Sequence, residues 1–408
     1  MADSADVRSL WQMASQEDGR PRRVSAVLRQ GEQVTPLELF FDLVFVLALT
    51  QCTALMADNP TWTGLAQGIL VLGILWWAWV GYSWLTSVVD PEEGVVRLAM
   101  FGSMAALLVV SLAVPGAFGE TGLTFAVSYA VLRAGWLVLF LLASRDTPDL
   151  RHSIWIGLAP STVVGVGLLV AASYLDGSAQ LVLWCVALAL DMLGPYLFGS
   201  EGWKLEPHHF AERHGLIIII ALGESIVAIG AGSQVGVDAG VITASVLGIA
   251  LAATMWWAYF DVVALVAARV LSERPVGREQ NEMARDSYSF LHFPMVAGIV
   301  LIALGMKKTI AHVDEPLVPE TAFAMVGGLA IYLLAHIAFR WRNVHSINKQ
   351  RLVLAVALVA FIPLADRPDA LVTLTIVTLA MVALIVYEVT HFGEARDRIR
   401  HQIETKAP

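Results

Sequence analysis

Along the chain, about twelve apolar runs, most of them near twenty residues long, alternate with short polar connections. Their approximate limits are 36–56, 63–86, 95–115, 121–143, 152–175, 179–199, 212–231, 238–266, 287–306, 320–340, 351–365 and 370–391. A helix needs about 20 apolar residues, at about 1.5 Å each, to cross a hydrocarbon layer of roughly 30 Å. Barrel strands would instead alternate over about ten residues. The pattern therefore predicts an all-α fold, a polytopic transmembrane helix bundle. The run at 351–365 is the shortest and the weakest of the twelve.

The basic residues bear on that reading. If the N-terminus is cytoplasmic, 22 of the 26 Lys and Arg residues fall on cytoplasmic segments or helix ends. Lys307, Lys308 and Arg367 fall on the other side, and Arg133 lies inside a span. Basic loops belong on the cytoplasmic face, and one span more or fewer would scramble the asymmetry. Both termini come out cytoplasmic, and the expected setting is the bacterial cytoplasmic membrane. The segment 1–35 reads as a cytoplasmic tail, because it lacks an apolar core followed by a small-residue cleavage site. Residues 393–408 read as a charged cytoplasmic C-terminal tail.

Composition agrees. Charged residues make up 15% of the chain, against about 25% in soluble proteins, and the mean hydropathy is +0.68. The net charge of −9 says little, since placement carries the information. Cys52 and Cys185 sit in apolar runs as small core residues, so no disulfide framework is implied. The chain has no phosphate-binding Gly-x-x-x-x-Gly-Lys loop, no dinucleotide glycine fingerprint, no Gly-x-Ser-x-Gly elbow and no Cys-x-x-Cys. An enzyme is thus the less favoured class, and no cofactor is expected. The expected partners are the lipid bilayer and an unknown small solute or ion, with no nucleic acid; a homo-oligomer is left open.

The second half of the chain echoes the first. ELFFDLVFVLALTQ from Glu38 aligns with ERHGLIIIIALGES from Glu212, which sets Thr50 against Glu224. ILWWAWVG at 74–81 matches TMWWAYFD at 254–261, and GETG at 119 meets PETA at 319. With gaps, two six-span repeats follow, at 36–200 and 201–392. Six is even, so the halves are parallel and related by an axis along the membrane normal, as in some transporters. A site between such halves would be lined by the first and seventh spans.

PLELFFDLVFVLALTQ, WWAWVGYSWLTSVVDP with Arg97 after it, and HFAERHGLIIIIALGESIVAIG together resemble the bacterial low temperature requirement A (LtrA) family over about residues 30–390. The resemblance implies a bacterial integral membrane protein linked to growth in the cold, a phenotype rather than a reaction. The family's motif positions fall on Glu38, Phe41, Asp42, Arg97, His209, Glu212, Arg213, Gly223 and Glu224. A fainter similarity, to potassium channels of two six-span repeats, rests on Phe40-Phe41-Asp42 alone and is too short to carry a function.

An ionised side chain at mid-bilayer costs about 2.5–3.5 kcal/mol on insertion scales, so such groups pair, protonate or face water. Glu38 and Asp42 are four apart and share a helical face. They are either bound structurally, to Arg97, Arg213 or helix N-terminal amides, or they titrate during function. Glu224 follows Gly223 deep in its span with no local partner but Ser225. Arg133 is expected to pair with Asp191 or Glu224. Ion- or substrate-binding candidates are therefore Glu38, Asp42, Arg97, Arg133, Asp191, Glu212, Arg213 and Glu224, with His209, His214, Asp261, His292 and His336 as secondary candidates. HHFAERHG at 208–215 has metal-ligand residue types without a known zinc spacing, so no metal is assigned. The favoured function is a proton- or ion-coupled secondary transporter or ion pathway. The alternative is an intramembrane lipid-modifying or lipid-binding protein of the cell envelope.

Overall fold

The computed structural model describes residues 33–404 apart from 93, 146–147, 198–202, 204 and 233–237. The N-terminal tail up to 32 and the chain from 405 onward lie outside the described residues. Among the described residues, twelve main helices order the chain: α1 Pro36–Asp58, α2 Trp62–Val88, α3 Gly94–Ala113, α4 Gly122–Ala143, α5 Ala159–Ala172, α6 Gly177–Leu197, α7 Pro207–Gly232, α8 Ala239–Phe260, α9 His292–Ala311, α10 Pro319–Val344, α11 Lys349–Phe361 and α12 Ala370–Glu404. Shorter helices at Pro148–Ser153, Val263–Ser272 and Arg278–Met283 link them. Among the described residues there is no strand; an isolated bridge joins Pro316 and Asp369.

Among the described residues, eleven helical segments are long and apolar enough to cross a membrane; α11 is not one of them. Its packing nevertheless sets it along α12. Asn348 at its start donates to Glu388 of α12 at 2.8 Å, and Ala365 past its end accepts from Thr373 of α12 at 3.1 Å. Thr373 and Glu388 are fifteen residues apart, about 22 Å of helix. α11 therefore runs antiparallel to α12 and is closed by a 3-10 turn at Ile362–Leu364. The eighth run, expected to reach 266, breaks at Asp261; the following ten residues form the separate amphipathic helix Val263–Ser272.

Local chemistry sets the helix starts. α1 opens with a capping box, Thr35 with Glu38, and with Pro36 in its first turn. Thr61, Asp238 and Asn348 cap α2, α8 and α11 by accepting from the amide three residues on. Burial then sorts the helices. α2 and α9 are buried along almost their whole length, whereas Val163 of α5 and Val182 of α6 are 65% and 57% exposed. Such an inverted surface, apolar outward, is what lipid demands. α9 and α10 approach closely through small residues: a Cβ on Gly298 would lie 2.6 Å from the Gly328 carbonyl oxygen, and one on Gly328 would lie 2.8 Å from that of Gly298.

Within the first half, α1 packs on α2 and α3, α3 on α4, α4 on α5 and α2 on α6. Within the second, α7 packs on α8 and α9, α9 on α10, α10 on α11 and α8 on α12. α1 meets α7 between the halves, and α9 also touches α1 and α2. The end where α1 and α7 begin and α12 finishes is called the basic end below.

Candidate functional site

Where α1 meets α7, each helix offers two polar residues four apart. Glu38 and Asp42 on α1 face His209 and Arg213 on α7. His209 Nε2 lies 2.8 Å from Glu38 Oε1, and Arg213 Nη1 lies 3.0 Å from the same oxygen. Arg213 Nη2 reaches Asp42 Oδ1 at 2.7 Å. α2 completes the site: Trp79 Nε1 donates to Asp42 Oδ1 at 2.8 Å, Thr86 Oγ1 accepts from Arg213 Nη1 at 3.1 Å, and the guanidinium lies 5.5 Å from the Trp79 ring centre. Glu38 spends its other oxygen on α1 itself, accepting from the Thr35 amide at 2.9 Å. Glu38, Asp42, His209 and Arg213 are all wholly buried. Two carboxylates on one face of a membrane helix are thus accommodated by sharing one guanidinium.

Among the described residues the two carboxylates share Arg213, and Asp42 Oδ2 has no hydrogen-bond partner.

Glu224 stands apart. It bonds the Thr50 hydroxyl of α1, eight residues beyond Asp42 and so about 12 Å farther from the basic end. It is 1% exposed, and among the described residues no Lys or Arg lies within ion-pair distance of it. Beside it, Gly223 has open space where a side chain would stand. Asp42 and Glu224 line the same helix pair at different depths.

The remaining sequence candidates separate by face. Arg133 of α4 pairs with Asp191 of α6 at 2.9 Å, with Thr162 of α5 and Tyr129 completing the contact. Arg97 is exposed near the start of α3, away from the α1–α7 knot. Glu212 is also exposed, turned about 100° from Arg213, and accepts from the Val34 amide at 3.0 Å. His214 is buried with Nδ1 on the Phe210 carbonyl, its ring 5.0 Å from Trp79 and 5.3 Å from His292. His292 meets the Tyr259 hydroxyl at 2.8 Å, and His336 meets Arg351 at 3.2 Å. Asp261 pairs with Arg396 at 3.0 Å and Arg400 at 3.2 Å.

α9 is entered through a π-helical stretch, Ala284–Phe290. Widened turns of this kind recur at functional sites. Here the Ser287 carbonyl accepts from His292 Nδ1 at 3.0 Å and the Ser289 carbonyl from Trp76 at 2.8 Å. Side chains of α2 and α9 therefore satisfy carbonyls in this stretch.

Sequence reasoning did not pair Arg351 with Glu388, both of them buried. Arg351 Nε and Nη2 reach the two Glu388 oxygens at 2.9 Å each, and Nη1 reaches the Ala258 carbonyl at 3.1 Å. The signal was present: an arginine opening an apolar run and a glutamate closing another. Nor did it single out Trp79 and Thr86, which look like packing until Asp42 and Arg213 are seen against them. Among the described residues no group of three or more His, Cys, Asp or Glu converges as metal ligands.

A family model described as bacterial low temperature requirement A protein (LtrA) matches residues 33–386. The curated protein named uncharacterized protein RA0937, of Rhizobium meliloti (strain 1021), is 29% identical over 306 residues, covering 72% of this chain and 74% of its own. No solved structure matches.

Proposed function

The chain belongs to the bacterial low temperature requirement A family, and from that premise we propose that it is a secondary transporter or ion pathway, coupled to protons or another cation. It works between two parallel six-helix halves, in the bacterial cytoplasmic membrane with both termini in the cytoplasm. Glu224 with Thr50 is the coupling site. The Glu38–Asp42–Arg213–His209 knot closes the basic end.

The observation that carries the reading is Glu224 itself. It is a buried acid with no cation at ion-pair distance among the described residues, held by a hydroxyl from the opposite half. A group so placed is costly in a purely structural bundle and useful to a protein that must bind and release a cation. Two further observations support the halves. The pairs α1–α2, α1–α3, α3–α4, α4–α5 and α2–α6 recur within 201–392 as α7–α8, α7–α9, α9–α10, α10–α11 and α8–α12, whereas among the described residues α2–α4 has no counterpart. In addition, Thr50 and Glu224, which the internal alignment sets opposite each other, touch. Equivalent residues of parallel repeats meet only where they border the axis between them. The knot supports a closed end: an opening there would have to part four wholly buried polar groups.

Proteoliposomes test this. Purified protein should dissipate an imposed proton or cation gradient, and Glu224→Gln, isosteric and able to keep the Thr50 bond, should abolish the flux while leaving the protein monodisperse. Folded and oriented wild-type protein that passes nothing across a broad set of ions and solutes would sink the proposal.

A further inference from the structure

At the basic end of the second half, the bundle encloses a pocket of ≈ 460 Å³ between the Val263–Ser272 helix and α10, α11 and α12. It does not belong to the α1–α7 site. Its volume is that of a site for a whole small molecule, since ligand pockets run about 300–1,000 Å³, and exceeds what a bare phosphate needs. We propose that this pocket binds the phosphate headgroup of an anionic lipid.

Charge points to the phosphate. Four basic side chains line the pocket, Arg340, Lys349, Arg351 and Arg396, against one acid, Glu388. Arg351 and Arg396 are committed: both bind Glu388, and Arg396 also binds Asp261 behind it. Arg340 and Lys349 have no ion pair among the described residues; Arg340 donates only to the Ser346 hydroxyl at 2.7 Å. Two positive charges are therefore left over, at the exposed mouth. Basic pockets between membrane helices at this level suit anionic headgroups.

The walls point to a lipid rather than a free anion. Val344, Ile347 and Phe392 line the pocket and are 37%, 48% and 43% exposed. A phosphate seated at Arg340 and Lys349 would lay its glycerol and first methylenes along this apolar flank. The floor is already built, since Arg351 and Glu388 are 3% and 2% exposed and fixed by their mutual fork. Asn343, 4% exposed, also borders the pocket, and its Oδ1 has no hydrogen-bond partner among the described residues. A hydroxyl-bearing headgroup would supply one, which makes phosphatidylglycerol the natural probe.

The test is a titration of the full chain in detergent with phosphatidylglycerol, phosphatidylcholine or inorganic phosphate, bound lipid being counted by native mass spectrometry. Each basic residue near an anionic headgroup contributes about fivefold in affinity, so phosphatidylglycerol should bind roughly 25-fold more tightly than phosphatidylcholine. The double variant R340Q/K349Q should lose that preference, and R367Q, at the opposite end, should keep it. Both altered positions are exposed, so the variants should remain monodisperse. Equal retention of the two lipids overturns the proposal, as does a double variant that binds like the wild type or an equal loss in R367Q. Displacement of phosphatidylglycerol by an equal concentration of inorganic phosphate would assign the pocket to a soluble anion and overturn the lipid assignment.

Discussion

Replacing Arg213 by methionine removes the one cation that Glu38 and Asp42 share. Two ion pairs, at 3.0 and 2.7 Å, and the Thr86 bond at 3.1 Å disappear together, and both carboxyl groups stay wholly buried. Methionine keeps most of the volume, so the cavity contribution is small. Removing one partner of a buried ion pair costs about 3–5 kcal/mol. At about 2.1 cal/mol/K per residue, the unfolding entropy of this chain is near 0.9 kcal/mol/K, which turns that loss into about 3–6 °C in Tm. Helices that persist in detergent lower the entropy and enlarge the shift, so about 3 °C is a floor. The triple variant Arg213→Met, Glu38→Gln, Asp42→Asn removes the whole charged group, while the glutamine introduced in α1 can still complete the capping box; it should recover more than half of the loss. Thermal denaturation of the detergent-solubilised protein, followed by intrinsic fluorescence and by the surviving monodisperse fraction, measures both variants. A single variant within about 1 °C of wild type, or a triple variant no more stable than the single, would refute the account of the knot as a shared-charge brace.

Other perturbations probe other parts of the fold. Gly298→Val should separate α9 from α10, because its Cβ would meet the Gly328 oxygen at 2.6 Å and the Tyr332 nitrogen at 3.0 Å; overpacking of this kind costs about 1–3 kcal/mol, readable as lower Tm and yield. Arg351→Lys keeps the charge but loses the two-pronged contact with Glu388 at 2.9 and 2.9 Å, so stability should fall by about 1.5–3 kcal/mol, and unchanged melting would show that the fork is dispensable. If α11 crosses the membrane, a membrane-impermeant maleimide should label Ser346→Cys and Arg367→Cys from opposite sides in right-side-out and inverted vesicles; labelling from one side would reduce the chain to eleven crossings.

Much of this architecture could be read from run lengths, because a bilayer imposes one requirement on each helix. The requirement weakens where a helix leans on its neighbours: α11 is short because Asn348, Arg351 and Thr373 tie it to α12 at both ends. Pairings were less legible, since they depend on helix rotation. Glu212 and Arg213 are adjacent and both belong to the family motif, yet only Arg213 turns inward. The spacing did hold the answer: His209 and Arg213 are four apart, as are Glu38 and Asp42, and two such pairs fit face to face. Arg133 found Asp191, one of the two partners the sequence left open. Arg351 and Glu388 lie in different runs, and nothing in the sequence records that α11 and α12 bring them together.

Glu38 has a consequence for motion. One of its oxygens fastens the first turn of α1 through Thr35, and the other holds His209 and Arg213 of α7. Withdrawing α7 from α1 thus tugs on the residue that keeps α1 wound. If, as proposed, the halves part at this end, fraying that turn goes with it, and one carboxyl group serves as both hinge and latch.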